Sequence, residues 1–103
     1  MRCAVVKHII IWDLKSELTA DEKKAAAQRI KSELEALAGV IEGLESIKVV
    51  TDILDTSNGD VMLDSEFTDE KALAYYADHP AHVKVKDFVK TVTAARKCVD
   101  YMI

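Results

Sequence analysis

The chain has 103 residues, of which 50% are hydrophobic and 31% charged, with three glycines, one proline and a formal net charge of -4. This composition excludes a disordered or fibrous chain, and the length suits one domain over residues 1–103. The mildly acidic balance, with scattered Lys and Arg, lacks the basic stripe of a nucleic-acid or anionic-membrane binder, so we expect neither partner.

The apolar run at the N-terminus does not have the pattern of a secretory signal. Lys7 and His8 interrupt it, and no small-residue cleavage site follows. No stretch approaches the length of a transmembrane helix. We therefore expect cytoplasmic residence, where Cys3 and Cys98 stay as reduced thiols, although the first and last strands could bring them together.

The first predicted element is a strand over residues 3–14, and both of its faces are apolar. Because alternate side chains point to opposite faces, His8 shares a face with Val6, Ile10 and Trp12. The opposite face carries Val5, Lys7, Ile9 and Ile11. Such a strand needs a cover on each side, which suggests helices on one side and a partner subunit on the other.

A helix is predicted next, from a capping box to a glycine. Thr19 is a good N-cap, and Glu22 three residues later completes the box. Apolar residues recur at helical spacing as far as Ala38, and Gly39 suits the position after a helix end. We expect this helix to run to about Ala38.

Two strands with a turn between them follow. Residues 45–53 alternate between apolar and polar side chains, and residues 61–67 do the same. Asn58-Gly59 between them is a strong turn signal. We predict a hairpin whose loop is longer than two residues.

The second half predicts two helical segments and a final strand. Thr68-Asp69-Glu70 caps a segment with Tyr76 on its inward face, and Asp78-His79-Pro80 breaks it, with His79 as a capping residue. Pro80 favours a new helix over about residues 81–92. The last strand is expected over about residues 94–103.

The predicted order is strand, helix, strand, strand, helix, strand. This order indicates an α+β, ferredoxin-like βαββαβ fold, in which one antiparallel sheet carries its helices on one face. The other face would expose an apolar patch that includes Val5, Ile9 and Ile11, with Lys7 near Asp64 and Glu66. We predict a homodimer through this open sheet face, with Lys paired to carboxylate across or beside a two-fold axis.

Several motifs resemble those of the stress-responsive dimeric A/B barrel (Dabb) family. They are the Val6-Lys7-His8 run, Gly43-Leu44 before the second strand, Tyr76 with the His79-Pro80-Ala81-His82 segment, and the Val99-Asp100-Tyr101 ending. The resemblance covers nearly the whole chain and implies a ferredoxin-like protomer whose sheet packs on its mate as a dimeric α+β barrel. The activity of this family is mostly unassigned.

The resemblance also implies a candidate catalytic site. Polyketide cyclases of the family fold a poly-β-keto chain by aldol condensation, using a strand histidine, a helix tyrosine and the second histidine of His-Pro-x-His. By motif, these positions are His8, Tyr76 and His82. His82, near a helix N-terminus, would be neutral and could act as a base, Tyr76 could hold an enolate oxygen, and His8 could orient His82 or shuttle its proton.

Other interpretations stay open. His8 could be a structural histidine bonded to Tyr76 or to backbone in a non-catalytic, stress-associated dimer. Trp12 keeps a cofactor-free monooxygenase possible, by analogy of fold. No Cys or carboxylate stands at ligand spacing beside His79 and His82, so neither a metal site nor a cofactor is expected. The leading hypothesis is binding or transformation of a small, apolar, carbonyl-containing molecule.

Overall fold

A computed structural model describes residues 5–103, which form one four-stranded antiparallel sheet and three helices. A pairing of Cys3 with Cys98 lies outside the described residues. The elements in chain order are β1 (Val6–Leu14), α1 (Ala20–Glu35), β2 (Leu44–Val50), β3 (Val61–Phe67), α2 (Glu70–Asp78), α3 (Pro80–Val92) and β4 (Thr93–Met102).

The strand order is β2-β3-β1-β4, and every neighbouring pair is antiparallel. Two strand-helix-strand units therefore interleave, and the ferredoxin-like βαββαβ protomer predicted from the sequence is confirmed. The register places His8 directly between Ser65 on β3 and Asp100 on β4. No helix among residues 5–103 is long and apolar enough to cross a membrane.

The core lies between the sheet and the helices. The sheet contributes alternate residues of β1, β2 and β3, and α1 contributes a stripe that includes Ile30 and Leu34. The most deeply buried large side chains include Phe67 of β3 and Tyr76 of α2. The first strand buries Val6, His8, Ile10, Trp12 and Leu14, as its alternation predicts.

The first helix ends earlier than the sequence indicated. It begins after the predicted capping box, but its last residue is Glu35, and the predicted end at Ala38 is wrong. The backbone from there tightens into turns, in which Leu37 N–H donates to Leu34 and Val40 N–H donates to Leu37. This tighter path turns Leu37 inward, whereas Ala38 is exposed.

The second strand is also shorter than the predicted 45–53 span. It covers Leu44–Val50, because its partner β3 begins at Val61 and Val50 already pairs with Met62. Residues 51–60 form the connection, so the hairpin with a long loop is confirmed. The predictions for β3, α3 and β4 agree with the structure to within one residue.

The outer strand β4 has little helical cover. Nine of its ten residues are exposed, so the helices cover the other three strands and leave a cleft above β1 and β4. On the opposite side of the sheet, Ile11, Val99 and Tyr101 are exposed. We call this side the open face; it comprises the outward residues of β1, β3 and β4, including Lys7 and Ile9.

Lys7 finds its carboxylate partners within its own chain. Its Nζ lies 2.8 Å from Asp64 and 3.0 Å from Glu66, both on the adjacent strand β3. These hydrogen bonds raise the pKa of Lys7 above its ordinary value, so the ammonium stays charged. The open face therefore carries a cluster of one ammonium and two carboxylates beside apolar side chains, and Lys7 needs no partner subunit for its ion pairs.

Candidate functional site

A cavity of about 330 Å³ lies between the sheet and helices α2 and α3. Its apolar wall comes from β1, α1, β3, α2 and α3, and its polar groups come from β1, α2, α3 and β4. His8, Tyr76 and His82 all line it. The structure thus brings together, around one cavity, the three side chains singled out from the sequence, which lie up to 74 positions apart in the chain.

His8 is held from both neighbouring strands. The hydroxyl of buried Ser65 donates a hydrogen bond of 3.0 Å to the His8 carbonyl oxygen. The imidazole Nδ1 lies 2.5 Å from Oδ1 of Asp100. Because a carboxylate only accepts, this bond assigns the proton of the neutral ring to Nδ1 and leaves a lone pair on Nε2. The arrangement orients His8 as a proton acceptor.

Asp100 is the site residue that the sequence interpretation did not single out. It lies on β4 opposite His8, and its carboxylate is partly exposed. The available signal was the Val99-Asp100-Tyr101 ending, which puts one carboxylate on a strand that this fold places beside β1. Finding the pair also required the register between the two strands, which sequence alternation does not give.

Tyr76 reaches the cavity from α2, whose N-terminus is fixed by the Asp69 carboxylate accepting from the Ala72 N–H. Its side chain is 1% exposed and packs on Phe67, with ring centroids 4.9 Å apart. The buried hydroxyl has no hydrogen-bond partner among the described residues. Burial raises the pKa of Tyr76, so the phenol stays protonated and available as a donor.

His82 lies in the first turn of α3. His79 caps that helix by accepting from the Ala81 N–H at 3.1 Å, and Pro80 occupies its first position, so both capping predictions are confirmed. The His82 ring stands 4.1 Å from the ring of Tyr76, and its Nδ1 lies 3.2 Å from the Ala77 carbonyl oxygen. His82 is half-buried.

Burial is the first cause of a lowered pKa at His82, and the charges of Lys86, His8 and Arg96 lower it further against the opposing bond to Ala77. The neutral imidazole predicted from the helix dipole is therefore favoured for an additional reason, the loss of hydration. Nδ1 donates to the carbonyl in this form, and Nε2 is unprotonated. His82 can accept a proton or a hydrogen bond.

The structural interpretation of His8 predicted a hydrogen bond from His8 to Tyr76 or to the backbone. The two rings stand edge to face, with centroids 6.2 Å apart, and the hydroxyl of Tyr76 is not bonded to His8. His8 instead bonds to Asp100. A histidine oriented by a carboxylate, a neutral histidine and a protonated phenol around one cavity can move a proton beside a polarised oxygen.

One group of side chains has the donor types of a metal site. His8, Cys98 and Asp100 bring their ligand atoms within 4.8 Å of one another. In the present geometry, however, the His8 and Asp100 atoms are in hydrogen-bond contact, closer than two ligands of one tetrahedral zinc ion stand. These residues could hold a metal only after that bond opened. The sequence does not show this group, because His8 stands 90 or more positions from Cys98 and Asp100 and meets them only through the pairing of β1 with β4.

Solved structures with the same fold cover almost the whole chain. A Bacteroides fragilis protein, described as dimeric, of unknown function and ferredoxin-like, is 29% identical, with 96% of each chain covered and a TM-score of 0.90. A Dabb family protein from Mesorhizobium loti is 20% identical, with 95% of each chain covered and a TM-score of 0.75. Hydroxynitrile lyase from Passiflora edulis is 15% identical, covers 96% of this chain and 93% of its own, and has a TM-score of 0.78.

The last two likenesses show the shared fold alone. No curated protein matches the chain. The model of one protein family, the stress-responsive A/B barrel domain, matches residues 6–103. That range contains all four strands, all three helices and the whole lining of the cavity. The chain therefore belongs to the stress-responsive A/B barrel (Dabb) family.

Proposed function

We propose that the chain binds a small, largely apolar carbonyl compound in the cavity and catalyses proton transfer next to the carbonyl group. The observation that carries this proposal is the Tyr76 hydroxyl, a buried donor that lines the cavity and has no partner in the described chain. An unpaired buried hydroxyl costs on the order of 1–3 kcal/mol. A ligand oxygen would accept from it.

The proposed chemistry begins with His8. Its Nε2 takes a proton from the carbon next to the carbonyl, so that a C–H bond breaks and an N–H bond forms. The electron pair moves onto the carbonyl oxygen, where the Tyr76 phenol donates a hydrogen bond to the developing enolate. Asp100 accepts from Nδ1 and stabilises the imidazolium that forms, as a carboxylate does in other acid–base pairs.

His82 would supply the second proton-transfer group. Its neutral Nε2 and the contact between its ring and that of Tyr76 support a role next to the same oxygen. From there it can hold the substrate or carry the proton to the product. The finer form of the proposal is an aldol cyclisation like that of the polyketide cyclases, in which the enolate attacks a second carbonyl of the same molecule.

Hydrogen–deuterium exchange tests the proton-transfer step without knowledge of the natural substrate. The probe is 4-phenylbutan-2-one in D2O, and NMR follows the loss of the signals from protons next to its carbonyl. We expect the protein to accelerate exchange, and both His8→Gln and Tyr76→Phe to remove most of that acceleration. Tyr75→Phe and His79→Asn are matched controls, because Tyr75 is exposed and Asn can still cap α3.

Exchange at the background rate with the wild-type protein would contradict the proposal. The chain would then fit the alternative of a non-catalytic, stress-associated dimer. A monooxygenase activity based on Trp12 stays a prediction. Trp12 is a buried core residue and also lines the cavity, so its position is consistent with either role.

We also propose that the chain acts as a cytoplasmic homodimer whose subunits meet through the open face. Support comes from the apolar side chains exposed there and from the Bacteroides fragilis protein, which is described as dimeric. Contiguous apolar surface of this kind is uncommon on a monomer.

A further inference from the structure

The lining of the cavity has an unbalanced charge. Lys86, Lys90 and Arg96 contribute to it, and none of the fourteen lining residues is acidic. The whole chain, in contrast, carries a net charge of -4. Positive charge is therefore concentrated at the cavity that holds the candidate site.

The fold places these three cations on two sides of the cavity. His82, Lys86 and Lys90 follow one another at four-residue spacing along α3, so they share one side of that helix. Arg96 pairs with Trp12 in the β1–β4 register and stands on the helix side of the sheet. The cations flank the cleft above β4, where helical cover ends.

Within the described part of the chain, no ion pair joins these three cations to a carboxylate. The ion pairs within residues 5–103 involve Lys7, His8, Arg29 and Lys31, and none involves the three cavity cations. Their charge also acts inside the cavity. Burial raises the pKa of Tyr76 and Arg96 opposes that rise, so the guanidinium lies within electrostatic reach of the phenol.

The rest of the lining is apolar and limits the size of the ligand. Its wall includes Ile10, Trp12, Leu34, Leu63 and Leu73. A volume of about 330 Å³ is at the small end of ligand pockets. At the packing density of organic matter, it holds on the order of a dozen non-hydrogen atoms.

We infer that the natural ligand is a small carboxylate, whose apolar body fills the cavity and whose anionic end is bound by Arg96 with Lys86 and Lys90. This inference rests on the proposed function, since the same molecule would present its carbonyl oxygen to Tyr76. A guanidinium binds a carboxylate with two parallel hydrogen bonds, so Arg96 would fix the orientation of the substrate as well as attract it.

Calorimetric titration with an acid and its neutral isostere tests the inference. The probes are 4-phenylbutanoate and 4-phenylbutanamide, which have the same shape and differ in charge. We expect the wild-type protein to bind the acid about tenfold more tightly than the amide, and added sodium chloride to reduce the difference. Arg96→Gln and Lys86→Gln should each reduce this preference for the acid. Lys84→Gln, an exposed lysine of α3 outside the cavity, is the charge-matched control.

The outcomes separate this inference from the proposed function. Equal binding of acid and amide would overturn the carboxylate assignment and leave a pocket for neutral carbonyl compounds. Failure of both to bind would overturn the two together. A third probe, 4-butylphenyl phosphate, distinguishes the source of the negative charge, since binding about tenfold tighter than that of the carboxylate would assign the site to a phosphate ester instead.

Discussion

His8 and Asp100 face each other across β1 and β4, and the imidazole Nδ1 lies 2.5 Å from the carboxylate Oδ1. The two residues are 92 positions apart in the chain, yet they are direct neighbours in the sheet. The carboxylate gives the histidine a defined tautomer and a counter-charge. In the proposed mechanism, both properties are needed at the moment when His8 takes up a proton.

Replacing that carboxylate should slow proton transfer and leave the fold intact. In Asp100→Asn the amide oxygen can still accept from Nδ1, but the negative charge that stabilises the imidazolium is gone. We expect exchange of the 4-phenylbutan-2-one protons to slow by at least about tenfold, part of the roughly hundredfold or more that a general base contributes. Asp87→Asn, an exposed position of α3, is the control. An unchanged rate would remove Asp100 from the mechanism.

Removing the Tyr76 hydroxyl should not destabilise the protein. Because the buried hydroxyl is unpaired within the described chain, Tyr76→Phe removes a desolvation cost and no protein hydrogen bond. Thermal unfolding should show a free energy that is unchanged or raised by up to about 1 kcal/mol. Tyr75→Phe serves as the exposed control. Clear destabilisation of Tyr76→Phe would mean that the hydroxyl holds the fold together.

His82 should make the folded state sensitive to mild acid. Its pKa is lowered on folding, chiefly by burial, so the unfolded chain binds more protons in the window below the ordinary histidine pKa. The stability that neutral His82 contributes is present above the unfolded pKa and is lost as pH falls through the folded pKa. Melting temperatures measured between about pH 7 and pH 5 should fall more steeply for the wild type than for His82→Gln. If the melting temperatures of the two proteins fell equally with pH, the lowered pKa of His82 would be contradicted.

Two glycines with left-handed backbone form a matched pair of substitutions. Gly39 has φ +80° and open space around its Cβ position, whereas a Cβ on Gly43, at φ +91°, would meet the Ala72 Cβ at 2.5 Å. Gly39→Ala should cost about 1–2 kcal/mol, the backbone strain alone. Gly43→Ala should cost clearly more, because α2 must move. Since α2 carries Tyr76, exchange activity should fall in Gly43→Ala and persist in Gly39→Ala. Equal unfolding free energies of the two variants would show that α2 moves without an energetic cost.

Assembly through the open face is tested by introducing a charge there. In light scattering, the wild-type protein should have twice the mass of one chain. Ile9→Glu should have the mass of a single chain, because the dimer would bury the new carboxylate against apolar neighbours. Val40→Glu is the matched control, since Val40 is 58% exposed and lies in the connection after α1. A wild-type protein of single-chain mass at micromolar concentration would contradict the dimer.

The sequence predicted the fold more completely than the site. Alternation in β1 placed His8 on the covered face, and the cap at Pro80 placed His82 in the first turn of a helix, because both signals are local. The predicted end of α1 at Ala38 failed since the turns after Glu35 depend on how Leu37 meets the core. Asp100 and Arg96 were missed for a similar reason, because their roles depend on the register between β1 and β4.

Because side chains alternate along β4, substitutions in this strand fall into two groups, one on each face of the sheet. Its even-numbered residues Arg96, Cys98 and Asp100 stand on the cavity side of the sheet, and its odd-numbered residues Lys97, Val99 and Tyr101 stand on the open face. Substitutions at one set can change ligand chemistry while the other set keeps its self-association surface. A deletion of one residue in this strand would exchange the two sets beyond the deletion, so both surfaces depend on the length of β4 as well as on its residues.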